Sequence, residues 1–151
     1  MNIRGSLSRV AIDDYLADAR IPIRLSCRTP AGRLWMLSLW FLWDAEETCF
    51  RCATAADADV VAYLEHDDGV AFEVSDNEPP YIGVRGSGTA TVRPDEEKAR
   101  LRGLLERYLG GTDSALATRL LDPDREEVEL VIEPEVVFGW DYGDRMADAS
   151  G

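Results

Sequence analysis

Residues 33–43 read RLWMLSLWFLW, and the fold depends on how this stretch is covered. It holds three of the four tryptophans, and Ser38 is its only interior polar side chain. At the period of two that a strand imposes, Trp35, Leu37, Leu39, Phe41 and Trp43 share one face. Leu34, Met36, Ser38, Trp40 and Leu42 share the other. A strand bordering water alternates apolar with polar, so one that is apolar on both sides must be covered on both. One face can close a core. The other requires a second layer, a partner chain or a flat aromatic ligand.

Upstream, Thr29-Pro30-Ala31-Gly32 is a turn, with proline and glycine where turn geometry favours them. Residues 21–27 alternate Ile21, Ile23, Leu25 and Cys27 against polar neighbours, so they pair with the tryptophan strand as a hairpin. Before them, residues 9–19 read as an amphipathic helix capped by Ser8. Downstream, residues 44–47 are a polar break and 48–53 a third strand. Residues 57–65 form a helix with Val60, Val61 and Leu64 inward, and Gly69 is read as its C-terminal stop. Strands follow at 70–75 and 81–93, the second marked by Gly83, Gly86 and Gly88 as coiled or closely approached. Pro94-Asp95-Glu96-Glu97 starts a helix whose stripe is Leu101, Leu104, Leu105, Tyr108 and Leu109, stopped by Gly110-Gly111. A short helix at 114–121 precedes a strand at 127–133 and an extended run at 135–142. The tail from Arg145 is small and polar and is expected to be disordered. About six strands and about four helices, the early strands joined by short turns, describe an antiparallel barrel with helices outside.

The 151 residues suit one domain, residues 1–151, whose core spans roughly 21–142. A net charge of −13 and a pI near 4.4 repel nucleic acid and anionic membranes. Lys98 is the only lysine among the 16 basic residues. Residues 1–7 lack the apolar core of a signal peptide, and no run reaches the ~18 residues of a membrane helix. Cys27, Cys49 and Cys52 make no disulfide framework, which with the missing signal points to the cytoplasm.

Few side chains invite catalysis. Cys49 and Cys52 have CxxC spacing but lie in a strand, where residues three apart face opposite ways, so they read as core. His66 is the only histidine, which excludes a His-based metal cluster or a Ser-His-Asp triad within one subunit. Gly83 to Gly88 reads GxxGxG before no helix and is no dinucleotide fingerprint. The acidic runs, 122–127 among them, read as solvated faces. Arg100, Arg102, Arg107 and Arg119 are helix-surface charges, whereas Arg24, Arg28, Arg51 and Arg85 sit on or beside strands, where each either binds an anion or pairs with one of the 29 acids.

Leu39-Trp40-Phe41-Leu42-Trp43-Asp44 after a Pro-Ala-Gly turn resembles the second strand of the pyridoxamine 5'-phosphate oxidase-like proteins, the flavin-binding split barrels. Residues 79–88, PPYIGVRGSG, resemble that family's Pro-Pro-Tyr-Arg-Gly-Val-Arg-Val-x-Gly strand, and Glu106-Arg107-Tyr108-Leu109-Gly110 and Trp140-Asp141-Tyr142 also recur there. The resemblance implies a six-stranded antiparallel split β-barrel that dimerises, with FMN or a deazaflavin in the subunit interface and a small-molecule substrate. It places the ring along Leu37, Ser38, Leu39 and Trp40, whose backbone faces the ring's polar edge. Trp140 is then either interface packing or a lid stacked on the ring. The family's Ser-Arg-Lys phosphate grip falls here on Ala58-Asp59-Val60. Losing two charge-assisted contacts of ~1.5–3 kcal/mol each weakens binding by roughly two to four decades. Thr54, the amides near Asp57, and arginines such as Arg51 and Arg85 remain as candidates. The expectation is a cytoplasmic, homodimeric, flavin-dependent oxidoreductase without a metal; the competing reading is a split-barrel dimer that has lost tight flavin binding.

Overall fold

In the computed structural model, which describes residues 1–148, the chain runs β1 (Asn2–Gly5), α1 (Arg9–Asp18), β2 (Ile23–Arg28), β3 (Leu34–Leu39), β4 (Leu42–Asp44) and β5 (Cys49–Ala55). It continues through α2 (Asp59–His66), β6 (Gly69–Ser75), β7 (Ile82–Pro94), α3 (Ala99–Leu109), α4 (Ala115–Leu120), β8 (Glu127–Asp141) and α5 (Gly143–Asp148). The turn after β2 closes with the Thr29 N–H donating to the Arg33 carbonyl at 2.9 Å, and Gly32 takes φ +76°, open to glycine at no steric cost. This fixes the hairpin register, Leu25 opposite Leu37 and Ser26 opposite Met36.

The tryptophan stretch is two strands, not one. β3 pairs with β2 and β4 with β5, so the order β3-β2-β6-β7-β8-β5-β4 begins and ends on consecutive pieces of one stretch. The sheet thereby closes on itself as an antiparallel barrel with flanking helices. At the break, the Tyr108 hydroxyl of α3 accepts from the Phe41 N–H at 3.3 Å and donates toward the Ile21 carbonyl at 3.0 Å. A side chain thus serves backbone groups that leave the ladder.

The face of Trp35, Leu37, Leu39, Phe41 and Trp43 turns inward. Phe41 is fully buried, and Trp35, Leu37, Leu39 and Trp43 pack on the same core. At its centre Phe50, 0% exposed, meets the rings of Trp43 at 4.8 Å, Phe72 at 5.0 Å and Phe41 at 5.5 Å.

β8 is a single 15-residue strand where two pieces are expected. Pro134 is accommodated where the β7 register shifts, opposite Gly88. β8 pairs with β7, with β5 and, in parallel, with β1, a strand that the sequence reading omits. A Cβ on Gly86 would lie 2.0 Å from the Val136 carbonyl oxygen, so the β7–β8 contact requires glycine there.

Three boundaries differ from expectation. α3 starts at Ala99 rather than near Pro94, because Asp95 caps it from ahead: its carboxylate accepts from the N–H groups of Arg100 (3.1 Å) and Leu101 (3.2 Å). Replacing Asp95 by alanine is expected to cost about 1 kcal/mol, read as a lowered urea midpoint. Gly69 does not stop α2; the Asp67 carboxylate accepts its N–H at 3.0 Å, and Gly69 opens β6. The segment from Arg145 expected to be disordered continues α5 as far as Asp148. The Gly143 N–H donates to Asp141 Oδ1 at 2.7 Å, the Met146 N–H donates to the Tyr142 carbonyl, and Arg145 lies 5.0 Å over the Tyr142 ring. Residues 149–151 of that expectation lie outside the described residues. Among the described residues no helix is long and apolar enough to cross a membrane.

Candidate functional site

Strand register builds the outer face row by row. Ser38, Arg24, Glu73, Arg85 and Phe138 lie opposite one another across β3, β2, β6, β7 and β8. The next row is Met36, Ser26, Ala71, Ser87 and Val136. Between these rows runs a groove of about 520 Å³. Its arginines differ. Arg24 Nη2 donates to Asn77 Oδ1 at 3.3 Å, while Nη1 stands 3.8 Å from Glu73 and is buried without a hydrogen-bond partner. Arg85 touches no carboxylate; its guanidinium lies 5.1 Å from the Phe138 ring and 5.5 Å from the Trp140 ring. At the open side of β3, Leu34 is 76% and Met36 62% exposed.

A second concavity, about 400 Å³, lies on the other side of the β3–β4 break. Ser38, Leu39 and Trp40 line it with Ala53 and Thr54 of β5, and Leu101, Leu104 and Leu120 wall it from α3 and α4. Arg125 and Glu127 are its only charged residues. Trp40 stacks on Tyr108 at 5.1 Å with 9° between the planes, and Trp35 meets Tyr63 edge-on at 5.3 Å. Both rings therefore have cover within the chain, so neither argues for a partner. Leu34 and Met36 are what remains uncovered.

The other candidates scatter. Leu37 packs inward, with its backbone paired to Leu25. Val60 is 1% exposed in the core and offers a ligand nothing; Asp59 opens α2 with an exposed carboxylate. Arg51 is held between Asp44 at 3.0 Å and Glu129 at 3.1 Å, and Arg100 reaches the same Glu129 at 2.7 Å. The Glu47 N–H, and then the Arg51 guanidinium, hold the Asp44 carboxyl below its ordinary value. Arg51 is thus neutralised within its own chain. Burial pushes the Cys52 thiol well up, and Cys49 is buried too, so neither member of the CxxC pair is exposed. His66 is exposed, and no group of three or more His, Cys, Asp or Glu among the described residues could hold a metal.

Sequence reasoning missed Tyr108 as the platform under Trp40, and missed Arg125 and Glu127. The last two sit inside the 122–127 run read as a solvated acidic face. Arg125 lies in the bend before β8, whose first residue is Glu127, so no strand or helix period marks the pair in the sequence. Chemically, the second concavity can take a flat, mostly apolar group with a few polar contacts at its rim. No poised nucleophile or acid–base pair lines it.

No family model matches the chain, and no curated protein sequence matches it. Solved structures do. The conserved hypothetical protein Rv2991 from Mycobacterium tuberculosis superposes with a TM-score of 0.74 at 21% identity, over 91% of this chain and 86% of that one. An F420 reductase gives 0.67 at 22% identity, covering 82% of this chain and 94% of its own. A putative pyridoxamine 5'-phosphate oxidase from Listeria innocua gives 0.65 at 14% identity, covering 87% and 96%. At these identities the likeness is one of fold.

Proposed function

We propose, starting from a chain with the split-barrel fold of the pyridoxamine 5'-phosphate oxidase-like proteins, that it works as a homodimeric flavin- or deazaflavin-dependent oxidoreductase on a small molecule. The observation that carries this reading is that Ser38, Leu39, Trp40 and Thr54 line one concavity. At about 400 Å³ it falls within the roughly 300–1,000 Å³ usual for ligand sites. Leu34 and Met36 supply an apolar face for a second copy to cover.

The residues fit the two parts of such a cofactor differently. A flat ring suits the apolar walls and the backbone edge at Ser38–Trp40. The phosphate finds no cation at the expected place, since Ala58 has no side-chain donor, Asp59 is acidic, Val60 is buried and Arg51 is paired. A bound ring would supply the hydride chemistry. Ser38, Leu39, Trp40 and Thr54 would hold it, with Leu101, Leu104 and Leu120 limiting water. Arg85 stacked beside Trp140 on the other groove is available to substrate or to the second copy.

The lack of a free cation at Ala58-Asp59-Val60 favours one competing reading, a split-barrel dimer without tight flavin binding. Titration of the purified protein with FMN and with a deazaflavin coenzyme separates the two. Saturable binding below ~100 µM of either supports the oxidoreductase, and absence of both sinks it.

A further inference from the structure

We propose that Arg125, oriented by the buried Glu127 carboxylate, grips the phosphate ester of a flavin-type cofactor; the inference rests on the reading above. The missing cation comes from the turn that leads into β8 instead of from α2. β5 and β8 pair with Ala55 opposite Glu127, and the Ala56 N–H donates to the Glu126 carbonyl at 2.9 Å. Residues 124–127 therefore lie directly beside the 56–58 turn that leads into α2, where the phosphate is expected. Arg125 lines the concavity holding Trp40 and Thr54, and it also lines a shallower one with Ala56 and Asp57. It joins the ring site to the turn.

Arg125 is held in place from within the chain. The Glu127 side chain is 1% exposed and accepts a hydrogen bond from Arg125 Nε, whereas the Arg125 side chain is 40% exposed. Anchoring through Nε fixes the guanidinium plane and leaves Nη1 and Nη2, the pair suited to two phosphate oxygens, without a partner among the described residues. Glu127 acts as a positioning residue. The alternatives are otherwise engaged or elsewhere: Arg51 sits between two carboxylates, and Arg24 and Arg85 line the other groove. Asp57, Asp124 and Glu126 around the same turn disfavour a second negative charge, so a singly charged phosphodiester suits the site better than a phosphomonoester dianion.

Calorimetric titration with riboflavin, FMN and a deazaflavin coenzyme carrying a phosphodiester tests this. Riboflavin has the ring without the phosphate, so the ratio of its Kd to that of a phosphate-bearing cofactor isolates the grip. Arg125→Gln is expected to weaken the phosphate-bearing cofactors roughly tenfold to a hundredfold and leave riboflavin unchanged. Glu127→Gln should lower the same ratio by less, again without moving riboflavin; a role in folding alone would weaken all three alike. If Arg125→Gln loses riboflavin too, the double variant Arg125→Met/Glu127→Leu removes the pair without orphaning a buried charge and is read by the same ratio. Riboflavin binding with no advantage for the phosphate, or a ratio that the variants leave unchanged, overturns the role of Arg125 while the oxidoreductase reading stands. Binding of none of the three overturns both.

Discussion

Aspartate at both Leu34 and Met36 is expected to turn the proposed homodimer into a folded monomer. Each side chain stands free in the isolated chain, 76% and 62% exposed, so the substitutions touch no core contact. Fold stability should move by no more than about 0.5 kcal/mol per substitution, or about 1 kcal/mol in all. In a two-fold assembly seated on this face the same changes bury four carboxylates. An unpaired buried ion costs several kcal/mol, so the total is of the order of the ~12 kcal/mol that holds a nanomolar dimer. Sedimentation at micromolar concentration measures the outcome. A wild-type dimer that the double variant leaves intact would place the seam on another face, and a wild-type monomer would remove the homodimer from the proposal. Flavin binding measured on the same samples adds a second reading, since a cofactor site completed across the seam should weaken with it.

Phe50→Ala should be among the most damaging single substitutions in the barrel. Phe50 is fully buried, and its ring meets Trp43 from β4, Phe41 from the break and Phe72 from β6. It therefore holds together the closing strand and the strand across the core. Truncating a buried phenylalanine costs about 3–5 kcal/mol through lost transfer energy and the cavity left behind. Against a total of roughly 5–15 kcal/mol, that leaves a marginal fold. Phe50→Leu keeps most of the volume and should cost less than about 1.5 kcal/mol. Equilibrium urea denaturation of both variants measures the difference. A loss under ~1 kcal/mol for alanine would mean that the aromatic cluster is not the centre of the core.

The division of the tryptophan stretch into two faces was legible because burial follows a strand's period of two, and Phe41, Leu37 and Leu39 obey it; with both faces apolar, the sequence did not say which turned inward. Its break at Trp40–Phe41 was not, because the groups that stabilise it belong to Tyr108, distant in sequence. The same distance hid what covers the tryptophans, since Tyr63 and Tyr108 reach them only once the helices have packed. At the site, Trp40 and Thr54 could be named from a family resemblance, and they line one concavity. Arg51 showed its weakness only in three dimensions, where Glu129 arrives from β8. β1 carried no signal at all: four residues with one apolar side chain gain their strand only from the waiting edge of β8.

That edge bears on how the protein is made. β8 is the last strand in chain order, yet β1, β5 and β7 all pair with it. During synthesis the earlier strands emerge with one flank unpaired, and the barrel cannot shut until residues 127–141 have cleared the ribosome. Such long-range pairing folds slowly and leaves strand edges open to neighbouring nascent chains. For the time it takes to translate α3 and α4, the half-built sheet is a substrate for chaperones. A premature stop anywhere in that interval should yield an aggregate rather than a shorter folded protein.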